Sequence, residues 1–170
     1  MRVGRSAVVP NRVVGLAAAF AAAIPGSAVA VSGGGKDFAV ATLKGLDMSG
    51  QNYNGKDFSG ADAVGTNFRG SKMRGARFFK STLAGADFSN CDLSGASFEG
   101  ANLEGAIFTG AVAEGTAFSP TLDDVGDVEG VDFTDAVMRS DVQKHLCARP
   151  DAKGTNKVTG VDTRDSLLCN

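Results

Sequence analysis

Residues 86–110 read ADFSN CDLSG ASFEG ANLEG AIFTG, five residues written five times. The third residue of each unit is large and apolar: Phe88, Leu93, Phe98, Leu103 and Phe108. The first is small (Ala86, Cys91, Ala96, Ala101, Ala106), and the second and fourth are mostly polar. The same phase runs back to ATLKG at 41–45 and forward to TAFSP at 116–120, which makes sixteen units without a slip; Gly closes thirteen of them. KDFAV (36–40) extends the pattern backwards. After a lapse at TLDDV (121–125) it resumes as GDVEG, VDFTD and AVMRS, ending at Ser140. A period of five suits neither a 3.6-residue helix nor an alternating strand. It suits a short extended piece followed by a corner, with the third side chain turned inward and Gly supplying the backbone angles of the bend. One unit cannot bury its Phe or Leu, whereas stacked units build a continuous apolar column.

ADFSN, ANLEG, ASFEG and ADAVG resemble the pentapeptide-repeat family, whose consensus is Ala-(Asp/Asn)-Leu/Phe-x-Gly. The resemblance implies an all-β fold, a right-handed quadrilateral β-helix with four pentapeptides per turn. Residues 36–140 then form about five coils and, at roughly 4.8 Å per coil, a rod ~24 Å long. Four units per turn place residues twenty apart in register. One wall becomes Phe38, Phe58, Phe78, Phe98, Phe118 and Met138, and the opposite wall Met48, Phe68, Phe88, Phe108 and Val128. The other two walls, with mostly smaller residues, read Leu43, Ala63, Leu83 and Leu103, and Tyr53, Met73, Leu93, Ala113 and Phe133. Asp123 interrupts the Leu43 wall, so Ser119–Asp127 is expected to bulge. Its carboxylates, with Glu129 and Asp132, are a weak candidate cation site whose spacing matches no EF-hand loop.

Upstream of the repeat the chain reads as an address. Arg2, Arg5 and Arg12 precede an apolar stretch, Val13–Ile24, then Pro25-Gly26 and the small-residue site Ala28-Val29-Ala30. These are the three parts of a cleavable export signal, residues 1–30, followed by a flexible lead-in, 31–35. Without an adjacent Arg pair a Sec-type route is the simpler reading. Lys+Arg is 17 and Asp+Glu 19 in the full chain. Cleavage after Ala30 removes three Arg and leaves 14 basic against 19 acidic residues.

Downstream, residues 141–170 read as a small helical cap over the exposed end of the ladder. Ser140 and Gln143 have capping-box spacing, which predicts a helix over 141–148 stopped by Pro150; a second short helix starts near Thr163. Asn156 and Gly160 read as turn residues between them. LCARPDAKGTNKVTGVDTRDSLLC resembles the C-terminal extension of the thylakoid-lumen pentapeptide proteins of plants, algae and cyanobacteria. It departs from them at Lys157, where Pro is usual, and at Leu168, where Gly is common. An exported compartment permits disulfides, and Cys147 with Cys169 is the natural pair. Cys91, at an inward corner, reads as a small buried residue.

The chemistry of catalysis is missing from this pattern. A single His (His145) leaves few routes to a metal site or a hydrolytic triad, and His145 and Cys147, two apart, do not share a helix face. The glycines mark corners, not a phosphate loop. The reading is therefore no enzyme, no cofactor and no metal. The charges are more informative. Arg69, Lys72, Arg74, Arg77 and Lys80 occupy about one turn and form a candidate docking surface. From Ser81 to Met138 there are eleven acids and no base, and their mutual repulsion predicts raised carboxyl pKa values. Signal and tail together imply a non-enzymatic binding or scaffold protein of the thylakoid lumen, a chloroplast or cyanobacterial compartment, acting on photosynthetic membrane complexes or their assembly. Nucleic acid is not an expected partner, and no apolar run is long enough to span a bilayer. The alternative is a DNA-mimicking inhibitor of a topoisomerase, which the acidic half suits and the basic turn does not.

Overall fold

The structure, a computed structural model, describes residues 38–169. The expected signal and lead-in lie outside the described residues. From Thr42 onward the second residue of a pentapeptide forms a parallel bridge with the residue twenty further on, at every step except the one from Asn102: Thr42 with Asp62, Asp62 with Thr82, Thr82 with Asn102. The stacking continues to Ala117 with Val137. The two-residue strands β1 (Ser97–Phe98) and β2 (Ala117–Phe118) are one such step, in parallel. Four pentapeptides thus make one turn of a four-sided β-helix.

Each pentapeptide repeats the same hydrogen bonds. The third N–H donates to the next turn (Phe88 to the Ile107 carbonyl, 2.8 Å), as does the fifth (Gly85 to Glu104, 2.8 Å). The second donates to the turn before (Asp87 to Thr66, 3.0 Å), and the first closes the corner within its own turn (Ala86 to Leu83, 2.9 Å). The corner requires a left-handed fifth residue, as at Gly85 with φ +64°.

The core is two aromatic stacks meeting at right angles. Phe58, Phe78 and Phe98 stack face to face with centroids 4.8 and 4.7 Å apart, and Phe68, Phe88 and Phe108 stack at 5.1 and 5.2 Å. Across the core the stacks meet edge to face, Phe78 on Phe88 at 5.6 Å and 84°. This is the arrangement the ring quadrupoles favour. Phe38 and Phe118 cap the first stack, at 4.7 Å from Phe58 and 5.4 Å from Phe98. Leu83, Leu93, Leu103 and Met73 are fully buried on the remaining walls. Buried polar first-place residues are tolerated because each donates to a carbonyl: Thr66 to Leu43, Ser71 to Met48, Cys91 to Phe68 and Thr116 to Leu93, all 23 residues earlier, and Ser81 to Phe78 within its own turn.

Two expectations change. The lapse at 121–125 is not an outward bulge: Pro120–Asp124 forms a 3-10 helix that buries Leu122 in the core where the count would have placed Asp123. No register is lost, since Gly105 still donates to Asp124 and Phe108 to Asp127. Helix α1 spans Ser140–Ala148, but Arg139 occupies its N-cap without a side-chain cap. The capping box is absent because the helix begins a residue early: Gln143 N–H donates to the Arg139 carbonyl (3.0 Å), Ser140 lies inside the first turn, and Gln143 Nε2 donates to the Leu167 carbonyl at 2.6 Å. Helix α2 spans Thr163–Ser166, with the Asp162 side chain accepting from Arg164 N–H.

Candidate functional site

The last turn of a β-helix has donors and acceptors aimed at a turn that does not exist. Here the tail supplies substitutes, mostly from side chains. Val128 N–H donates to the Asp151 carboxylate (3.2 Å), Gly130 N–H to the Lys153 carbonyl (2.9 Å) and Phe133 N–H to the Ser166 hydroxyl (3.0 Å). In the other direction the Arg149 guanidinium donates to the carbonyls of Val125 (2.9 Å) and Gly126 (3.2 Å). Asn156, expected only as a turn residue, is buried and serves as a rivet. Its Nδ2 approaches the carbonyls of Gly110 (3.2 Å), Ala111 (3.0 Å) and Gly130 (2.8 Å), and its Oδ1 accepts from Val158 and Thr159 N–H.

Arg149 and Asp151 form a paired unit, Nη2 to Oδ2 2.7 Å. Their hydrogen bond holds the Asp151 carboxyl below its ordinary value and raises that of Arg149, against the cost of burial. Cys147 and Cys169 are disulfide-bonded, tying the end of α1 to the chain terminus. Cys147 is therefore no nucleophile. Burial pushes the Cys91 thiol up to about 12, which makes it unreactive while folded. An open surface hollow of about 400 Å³ lies beside this disulfide, lined by Gln143, Lys144, Cys147, Leu168 and Cys169.

The basic residues lie on one turn but on three of its sides: Arg69 on one, Lys72 and Arg74 on the next, Arg77 and Lys80 on the third. Acids of the following turn meet two of them, Arg69 Nη1 to Asp87 at 3.2 Å and Arg74 Nε to Asp92 at 3.6 Å. These pairs join residues 18 apart in sequence, so a reading along the chain sees an unbroken basic stretch. Arg77 bridges to Asp57 below it through the backbone. Sequence reasoning missed Phe79. It stands outward at a fourth place, 39% exposed, with Lys80 Nζ 5.0 Å from its ring centroid. The signal was available in ARFFK: if Phe78 points in, Phe79 must point out.

The acidic segment does not assemble a cation site. Among the described residues no group of three or more His, Cys, Asp or Glu could hold a metal ion. Asp123 faces His145 Nδ1 at 3.2 Å, Asp127 accepts from Glu129 N–H, and Asp132 accepts from the N–H and hydroxyl of Thr134. At Asp132 the carboxyl moves opposite to the rise that mutual repulsion predicts. Burial works against the Asp132 charge, but the Thr134 hydrogen bonds outweigh it and hold the carboxyl below its ordinary value.

Ladder, stacked core and sealed end define a four-sided solenoid whose interior is filled by side chains. The pentapeptide-repeat profile matches residues 41–78 and 73–110, in eight copies. A crystal structure of a pentapeptide repeat protein from the Arabidopsis thaliana thylakoid lumen is 41% identical, with a TM-score of 0.69, covering 76% of this chain and 88% of that one. The chain belongs to the pentapeptide-repeat family. It is also 49% identical over 43 residues to thylakoid lumenal 15 kDa protein 1, chloroplastic, of Arabidopsis thaliana; that match covers 25% of this chain and 18% of the relative. QnrB1, a plasmid-mediated fluoroquinolone resistance protein, is similar in fold alone, at 24% identity and a TM-score of 0.50, over 59% of this chain and 52% of that one.

Proposed function

We propose that this chain is a non-enzymatic binding or scaffold protein of the thylakoid lumen, exported with cleavage near Ala30. In that reading residues 36–140 form a rod of about five coils and residues 141–170 its cap. The rod works beside photosynthetic membrane complexes or their assembly, and the turn carrying Arg69, Lys72, Arg74, Arg77 and Lys80 is its docking surface. The observation that carries this reading is the likeness to the lumenal crystal structure over most of both chains. Proximity labelling from the full chain in its native compartment tests it. Lumen-facing membrane proteins should be tagged; labelling confined to cytosolic or stromal proteins would overturn the compartment and the role together.

A second reading, a DNA-mimicking topoisomerase inhibitor, draws on the acidic half and the likeness of fold to QnrB1. It predicts inhibition of supercoiling by the purified chain. The disulfide-tied tail and the basic turn favour the lumenal reading.

A further inference from the structure

We propose that the corner of the rod formed by Val40, Phe79 and Lys80, with Arg77 beside it, docks on an anionic lipid bilayer and inserts Phe79. This deepens the lumenal reading by naming what part of the basic turn would touch. Three observations converge on the corner. First, Phe79 is the only aromatic residue at an outward fourth place between Lys44 and Glu114. Its column neighbours one turn away are Ser59 and Glu99. Second, the corner breaks the backbone rule of the repeat twice. Val40 and Lys80, two turns apart on the same edge, hold φ of +52° and +53°, where the positions between and beyond them are Gly60 and Gly100. A left-handed β-branched residue is a strained one, and strain retained at a surface points to use of the side chain. Third, the pieces are contiguous. The Val40 side chain lies over Gly60, where an added Cβ would meet its Cγ1 at 3.2 Å, and Gly60 N–H bonds the Phe79 carbonyl at 2.8 Å. The Lys80 stem in turn lies over Gly100.

Val40 is 73% exposed. An exposed aliphatic, an exposed aromatic and two cations suit the boundary between anionic headgroups and acyl chains. The ring and valine enter the apolar layer while Lys80 and Arg77 keep their charges at the headgroups. Asp57 beneath Arg77 and Glu99 above Phe79 are the acids facing the patch, and they bound it along the rod. A protein partner would meet the same residues; the charge complementarity and the small size of the apolar patch favour lipid.

The chain contains no Trp, so Phe79→Trp places a single fluorophore at the site. With the full chain, vesicles of about 30 mol% phosphatidylglycerol in phosphatidylcholine should shift the Trp emission to the blue, and brominated lipid should quench it; neutral phosphatidylcholine vesicles should do neither. Arg77→Gln with Lys80→Gln should abolish the shift. Phe79→Ser should lower partitioning onto the anionic vesicles by about tenfold, the amount expected for one Phe side chain left in water. Lys80→Gly relieves the strained corner, so it should melt no lower than the parent yet partition more weakly; this variant separates binding from folding. Unchanged emission with anionic vesicles, an equal response to neutral ones, or a shift that survives loss of both cations would overturn the proposal. Crosslinking of the basic turn to a membrane protein with no vesicle response would overturn the lipid assignment and leave the docking reading standing.

Discussion

In the body of the rod a ladder amide finds its backbone partner by count, 19 residues ahead, 21 behind or, at the corner, three behind; at the last turn, between Val125 and Phe133, most of the partners are side chains. The two regions bury their polar groups equally well by different means. In the rod most of the backbone satisfies itself, Asp or Asn at the second place takes the fourth N–H of its own unit (Asp57 from Ser59, 2.8 Å; Asp87 from Ser89, 2.9 Å), and the inward third side chain has only to fill space. In the tail the identity of Arg149, Asp151, Asn156 and Ser166 is the satisfaction. Damage to the rod should therefore register as lost packing, and damage to the tail as orphaned hydrogen bonds confined to one end.

The largest expected effect lies in the rod. Phe88→Ala empties a position between Phe68 and Phe108 and should destabilise the fold by about 3–5 kcal/mol in urea unfolding. A loss under 1 kcal/mol would mean that the stack is not the core.

Replacing both Cys147 and Cys169 by Ser opens a 22-residue separation and should remove about 3 kcal/mol. Hydrogen exchange gives the sharper test: amides of 140–169 should lose protection while those of 58–108 keep theirs. Uniform loss would show the two regions to be one cooperative unit.

Asn156→Ala leaves three carbonyls without its amide and should cost about 1–3 kcal/mol, read by the same two methods.

Asp151 supplies the pH dependence. Its folded pKa is lowered, so its contribution is present above the unfolded carboxyl value and is lost as pH falls through the folded one. The cap should hold through mild acid and loosen only below about pH 4. Asp151→Asn should flatten that acid limb and, for a partly exposed pair, cost about 1 kcal/mol or less near neutrality. A melting curve indifferent to pH down to 2 in the parent would remove Asp151 from this role.

Smallest of all is Glu99→Ala, outward on the rod, which should stay within about 0.5 kcal/mol.

What was legible in the sequence follows the same division. Phe58, Phe68 and Leu83 declare themselves because a strict period repeats one physical requirement many times. The twenty-residue stacking came with the family resemblance. The 3-10 turn at Pro120–Asp124 was not legible, because choosing Leu122 over Asp123 for the interior depends on local winding that a count by fives ignores. The capping-box reading at Ser140 failed because the helix begins one residue earlier, with Arg139 at its N-cap, and Gln143 turns instead to Leu167, 24 residues away. Asn156 could not be told from any loop Asn, since its three carbonyls lie 26 to 46 residues upstream. The ion pairs of Arg69 and Arg74 were hidden for the same reason. Phe79 was readable in principle, but an abundance of inward Phe concealed the one that points out.

The four-unit turn makes the molecule behave like a threaded screw. Adding or removing twenty residues lengthens or shortens it by one pitch and brings the tail back over the same sides, with Asn156 and Asp151 facing backbone atoms of the same kind. Adding or removing five rotates everything beyond the change by a quarter revolution. The stacked interior would then mismatch its walls, setting a Phe column over a Leu column, and the corner carrying Phe79 would swing to a new bearing relative to the tail. Chain length is therefore free to vary in steps of whole turns. The angle between the two ends is the quantity this architecture fixes.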